Sequence, residues 1–158
     1  MNIPKGHELF VRAALSFLTV AGGARKPGPH TLDWFALVGA ALGLFLGALW
    51  WAAGQVWAPG PAGAIVVVAD LAVTGMLHFD GVVDSGDGLI APMSRDRRLE
   101  VMSTPHVGAF GVIVGCAVLL LRWVALDSLR PSIVLLGGLW ALSRAVMAVV
   151  ARTRRVTS

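Results

Sequence analysis

The sequence predicts an all-α, polytopic helical membrane protein with about four spans and an N-terminal interfacial or re-entrant helix. Three observations carry this prediction. No charged residue occurs from Trp34 through Ala69, a stretch longer than one bilayer crossing needs. Hydrophobic types make up 56% of the chain and charged types only 14%, where a soluble domain is roughly a quarter charged. No segment alternates apolar and polar positions over several residues, which argues against a membrane β-barrel.

The elements follow in chain order. Within residues 1–33, Leu9 to Ala24 is apolar apart from Arg12 and reads as a helix lying at the interface or re-entering it. A cleaved signal peptide is the alternative. Glu8 and Arg12 intrude where its apolar core should begin, and cleavage would remove basic charge that holds the first span's inner end in place. Gly22, Gly23, Pro27, Gly28 and Pro29 end the segment and turn the chain. The first span is residues 34–54. Its Gly39, Gly43 and Gly47 recur every fourth position and form a smooth stripe for close helix approach. That stripe serves packing within the chain or, as the alternative, a homo-oligomer. The second span, 61–78, carries Asp70 mid-membrane, either facing a site or polar cavity, or protonated, or bonded to another span. Residues 79–106 form a polar loop. The third span, 107–126, has Arg122 near one end, the single cysteine Cys116, and Gly108, Gly111 and Gly115 as a further close-packing set. The fourth, 131–151, has Arg144 inside it, read as an inward contact.

Loop charges orient the spans. Lys5, Arg12, Arg25 and Lys26 precede the first, Arg95, Arg97 and Arg98 lie in the polar loop, and Arg152, Arg154 and Arg155 follow the last. Basic residues thus sit at alternate span ends, which places both termini and the 79–106 loop in the cytoplasm. Trp50, Trp51 and Trp57 then mark the outer interface and Trp34 the inner one. The same rule accounts for the net charge of +4 without nucleic acid, for which no basic and aromatic surface pattern exists. One cysteine excludes an internal disulfide and a multi-cysteine zinc site.

The polar loop holds the chemistry. In the string from His78 to Gly88, Asp80, Asp84 and Asp87 fall at i, i+4 and i+7, within roughly 60° of one another on a helix. Three carboxylates on one face beside a membrane repel each other unless a cation neutralises them. Mg2+ is the natural ion, since it takes carboxylate oxygens and bridges to substrate phosphates. A solvated acidic loop is the bland alternative. Gly81, Gly86 and Gly88 weaken a helix but let a large ligand approach the backbone. Downstream, Arg95, Arg97 and Arg98 can pair with phosphate oxygens or serve only as cytoplasmic charge. Asp96 and Glu100 read as ordinary helix-surface charges.

The sequence resembles the cobalamin 5′-phosphate synthase (adenosylcobinamide-GDP ribazoletransferase) family. The signature is His78, Asp80, Gly81, Asp84, Asp87 and Gly88. The likeness extends over Ala14 to Thr19, over Trp34-Phe35 with Val38-Gly39 and Gly43, and over Thr74-Gly75. It continues through Arg97, Leu99, Glu100 and Met102, then Gly108, Phe110 and Gly111, then Ala141-Leu142-Ser143-Arg144. The resemblance implies a Mg2+-dependent transferase of the cytoplasmic membrane. Its ribazole substrate, free or 5′-phosphorylated, attacks the cobinamide-linked phosphorus of adenosylcobinamide-GDP, and GMP leaves. It implies Mg2+ on Asp80, Asp84 and Asp87, an aspartate or His78 as proton acceptor, and substrate contacts from Arg97, Arg144, Gly81 and Gly88. His78 points about 160° away from Asp80 on an ideal helix, which favours an aspartate as the base.

Two departures stand out. The family's stretch after the methionine usually reads basic–aspartate–serine–arginine. Here Ser103-Thr104-Pro105-His106 stands instead, which removes an acid and an arginine. The family also continues beyond this point with a Tyr-Ala-Arg block and further spans, so the chain reads as lacking the family's C-terminal part. The competing readings are a CDP-alcohol-type membrane phosphotransferase, a small cation transporter using Asp70 and the acidic cluster, and an inactive fragment.

Overall fold

In a computed structural model, residues 13–15, 18–19, 30–90, 92–103 and 107–156 are described. Thr104 and His106, and the N-terminal helix apart from residues 13–15 and 18–19, lie outside the described residues. A 3-10 turn at Thr31–Trp34 leads into six helices, α1 Phe35–Ala53, α2 Pro59–Val73, α3 Leu77–Leu89, α4 Arg95–Ser103, α5 Ala109–Ser128 and α6 Ile133–Val156. No strand occurs among the described residues, so the predicted fold class holds. Three helical segments are long and apolar enough to cross a membrane, Thr31–Ala53, Ala109–Ser128 and Ile133–Thr153. The bent pair α2 and α3 makes a fourth if it is one broken span.

The glycine stripe sets the main packing. A Cβ on Gly39 would stand 2.6 Å from Arg144 Cγ, one on Gly43 2.8 Å from Trp140 Cβ, and one on Gly47 2.7 Å from Ile133 Cα. Rising position on α1 meets falling position on α6, so the two helices run antiparallel at a separation only glycine permits. The stripe is filled by α6 of the same chain, which leaves a second copy no open face there. Packing within the chain is the first of the two readings stated for the stripe. Where α1 meets α2, Leu42, Leu46 and Trp50 pack with Ala62, Val66 and Val67. Trp50 is 1% exposed and belongs to this core, whereas Trp51 and Trp57 are exposed. At the opposite end of α1, Ala14 and Leu18 are buried against Phe35, Val38 and Ala148. An Arg152–Asp33 ion pair ties the end of α6 to the 3-10 turn.

The helix in the second predicted span ends before that span does. Helix α2 begins with Pro59 at its first turn, where a missing N–H is harmless. It stops after 15 residues, about 22 Å, and does not run on to His78. The cause is local. Gly75 has φ 60, its N–H bonds Ala72 O, and the Met76 N–H bonds Leu71 O at 3.0 Å. This is the Schellman closure that a glycine after the last helical turn favours. Met76 also takes a left-handed φ of 59, and the chain leaves at 94° to α2 as α3. The acidic string is therefore helical, from Leu77 to Leu89, and the Arg-rich stretch forms α4.

Candidate active site

Helix α3 tolerates its glycines because one face lies close against α5. A Cβ on Gly86 would meet Gly111 Cα at 3.0 Å, and one on Gly115 would meet Phe79 and Val83 at 3.2 Å. Gly111 and Gly115 thus act as the predicted close-packing set, with α3 as the partner.

Helix α5 starts at Gly108, which has no side chain to cap the free N–H groups of its first turn. Asp87 supplies the cap from α3. Its Oδ2 accepts the Gly108 N–H at 2.7 Å and its Oδ1 accepts the Gly111 N–H at 2.8 Å. A negative group at this helix end also meets the positive end of the helix dipole. Asp87 is 6% exposed.

The three aspartates share a helix but not an environment. Asp80 is exposed and Asp84 half-buried, and neither carboxylate has a hydrogen bond or ion pair among the described residues. Asp87 has both oxygens engaged. No group of three His, Cys, Asp or Glu among the described residues comes together to hold a metal ion. Asp80 and Asp84 thus differ from Asp87 in having their oxygens unengaged among the described residues. The remaining donor set still suits Mg2+, which commonly takes one or two carboxylates and completes its shell with water and phosphate oxygens. Asp80 and Asp84, one turn apart with hard oxygens free, fit that role.

The other predicted residues divide. Gly81 is exposed, and an added Cβ would meet nothing within 4 Å, so its backbone is open to a ligand. Gly88 is buried and offers no such surface. Arg97 is exposed on α4 and paired with Glu100 at 2.7 Å. Cys116 is exposed on α5 rather than packed inside the bundle.

His78 and Arg144 come together in a cleft of about 260 Å³ among α2, α3, α5 and α6. His78 also lines an open cleft of about 330 Å³ beside Gly81 and Ser85. Both His78 ring nitrogens are buried without a partner among the described residues. The helical separation of about 160° puts His78 on the far side of α3 from Asp80.

Sequence reasoning missed what holds the cleft of His78 and Arg144 together. Asp70, 7% exposed, accepts Arg122 Nη2 at 2.6 Å on Oδ2 and Trp140 Nε1 at 3.1 Å on Oδ1. The Arg122 guanidinium also lies 5.6 Å from the centroid of the Trp140 ring. Asp70 is thus both bonded to other spans and part of a polar cavity. The signal was a lone acid and a lone base, each within an apolar span, which membrane burial obliges to pair.

The fold and this site define a multi-pass helical membrane protein with an acidic helix beside a polar cleft. The chain belongs to the cobalamin-5-phosphate synthase family, whose profile matches residues 10–157. It is 36% identical over 112 residues to an adenosylcobinamide-GDP ribazoletransferase of Prosthecochloris aestuarii, covering 71% of this chain and 45% of the relative. It is 40% identical over 120 residues to one of Thermosynechococcus vestitus, covering 70% and 49%. It is 43% identical over 122 residues to one of Synechococcus sp., covering 74% and 48%. The chain spans about half the length of the curated relatives it matches. No solved structure matches.

Proposed function

We propose that this protein transfers the adenosylcobinamide phosphate group of adenosylcobinamide-GDP to α-ribazole or its 5′-phosphate in cobalamin biosynthesis, releasing GMP. The reaction would take place at the cytoplasmic side of a prokaryotic inner membrane. The observation that carries the reading is the pair Asp80 and Asp84, neither engaged by another described residue, beside the open backbone of Gly81, in a chain whose relatives bear the transferase name. Arg95, Arg97 and Arg98 on the neighbouring α4 favour the cytoplasmic placement.

Asp80 and Asp84 would hold Mg2+. When bound, that ion offsets the charge of a diphosphate and of the departing phosphate. One of the two aspartates accepts the proton of the attacking ribose hydroxyl as its oxygen bonds to phosphorus and the bond to GMP breaks. Arg97, exchanging Glu100 for a phosphate oxygen, steadies the nucleotide end. Asp87 holds α3 against the start of α5 and so fixes the orientation of the acidic turns. A cation-transport path through Asp70 is disfavoured, because both oxygens of that carboxylate are engaged.

The test is GMP release by membranes containing the chain, supplied with adenosylcobinamide-GDP, α-ribazole and Mg2+, with a full-length relative run in parallel. Release that falls at least a hundredfold in Asp84→Asn supports the reading. No release from the chain beside an active relative overturns it.

A further inference from the structure

The cleft among α2, α3, α5 and α6 is lined by two arginines and a single carboxylate. Its charged and titratable lining groups are Asp70 from α2, His78 from α3, Arg122 from α5 and Arg144 from α6. Arg122 and Asp70 neutralise each other. Arg144 is 8% exposed and makes no ion pair among the described residues. Of the five N–H donors of its guanidinium, one reaches Ser143 Oγ at 3.4 Å, and its buried Nε has no partner among the described residues. A buried charge left in this state is costly unless something pairs with it.

The chain has made room for this side chain. Gly39 faces Arg144, and a Cβ there would stand 2.6 Å from Arg144 Cγ and 3.0 Å from its Cβ. The stem of Arg144 occupies the slot that the glycine leaves. The head is thereby held at a cleft that also presents the His78 ring and the Ser143 hydroxyl. The acids of the proposed reaction lie elsewhere, because Asp80 is about 160° and Asp84 about 120° around α3 from His78.

We infer that this cleft is an anion site, distinct from the acidic face, which takes a phosphate group through the Arg144 guanidinium. A planar fork of donors suits two phosphate oxygens, and one negative charge balances the cleft. The phosphate arrives either on a water-soluble compound or as the headgroup of a membrane lipid. The inference does not depend on the proposed transfer.

The experiment uses the purified chain in neutral detergent with EDTA, which removes any metal-dependent contribution from Asp80 and Asp84. One arm titrates inorganic phosphate and follows binding by calorimetry. The other reconstitutes the chain in phosphatidylcholine nanodiscs containing a few per cent phosphatidic acid and follows saturable lipid binding. Saturable phosphate binding, at least tenfold weaker in Arg144→Met and unchanged in Asp84→Asn, supports the site with a soluble ligand. Binding in the lipid arm alone, with the same response to the variants, supports it with a lipid ligand. Arg144→Lys keeps the charge without the fork, and its affinity is expected between the other two. It serves as the test where Arg144→Met does not fold. No saturable binding in either arm overturns the inference, as does wild-type affinity in the Arg144 variant that folds.

Discussion

Asp87 Oδ1 accepts the backbone N–H of Gly111 at 2.8 Å, across 24 residues of sequence. With the matching bond to Gly108, it makes one carboxylate of the acidic string the N-terminal cap of a different helix. Asp87→Asn should therefore act on stability. An amide offers one acceptor where two are used, and its NH2 group opposes the second backbone N–H. The expected loss is about 2 kcal/mol. Asp84→Asn, which removes no hydrogen bond or ion pair among the described residues, should change stability by less than about 0.5 kcal/mol. Denaturant unfolding in detergent by circular dichroism compares the two. Equal stability of both variants would remove the capping role.

Metal affinity should divide the same residues in the opposite way. Mn2+ can stand in for Mg2+ and be followed by electron paramagnetic resonance without any substrate. Asp80→Asn and Asp84→Asn should each weaken its binding at least tenfold, because each removes one of two hard oxygen donors. Asp87→Asn should weaken it less than threefold in protein that remains folded. A Mn2+ affinity that depends on Asp87 as strongly as on Asp84 would restore the three-carboxylate site.

These two outcomes bear on what the sequence could reveal. The spans α1, α5 and α6 were legible because apolar runs of that length have few other uses. The stripe of Gly39, Gly43 and Gly47 was legible because a fourfold repeat on a helix lies on one face. The end of α2 was not, since Thr74-Gly75 stood inside a continuous apolar run and only the left-handed φ of Gly75 reveals the turn. The i, i+4, i+7 spacing correctly placed the aspartates along α3. It could not show that Asp87 faces α5, because the groups it binds are backbone N–H groups of a helix whose docking is a tertiary event. The partner of Asp70 was hidden for the same reason, being 52 residues away.

The pair of Asp70 with Arg122 should contribute measurably to folding. The Asp70 side chain is 10% exposed and that of Arg122 28%, so neither is well served by water when its partner is gone. Arg122→Met should cost about 2 kcal/mol, less than a fully buried pair would, because Arg122 is partly exposed and intramembrane polar contacts are modest. In a double-mutant cycle with Asp70→Leu, the double variant should be less destabilised than the sum of the singles by about 1 kcal/mol or more. Additivity within about 0.5 kcal/mol would mean that the bridge contributes nothing to stability.

Two glycines of similar sequence appearance should respond with opposite sign. At Gly43 an added methyl would meet Trp140 Cβ at 2.8 Å and Gly137 Cα at 2.9 Å, both on α6. Helix α6 cannot yield without losing the contacts at Gly39 and Gly47, so Gly43→Ala should cost about 1–3 kcal/mol. At Gly81 an added methyl meets nothing within 4 Å. Alanine is the better helix former there, and Gly81→Ala should raise stability by about 0.5–1 kcal/mol. If substrate approaches the backbone between Asp80 and Asp84, the same change should raise KM severalfold while the protein becomes more stable. Thermal unfolding and GMP release measured on one preparation read both effects. A more stable Gly81→Ala protein with an unaltered KM would place the substrate away from that turn.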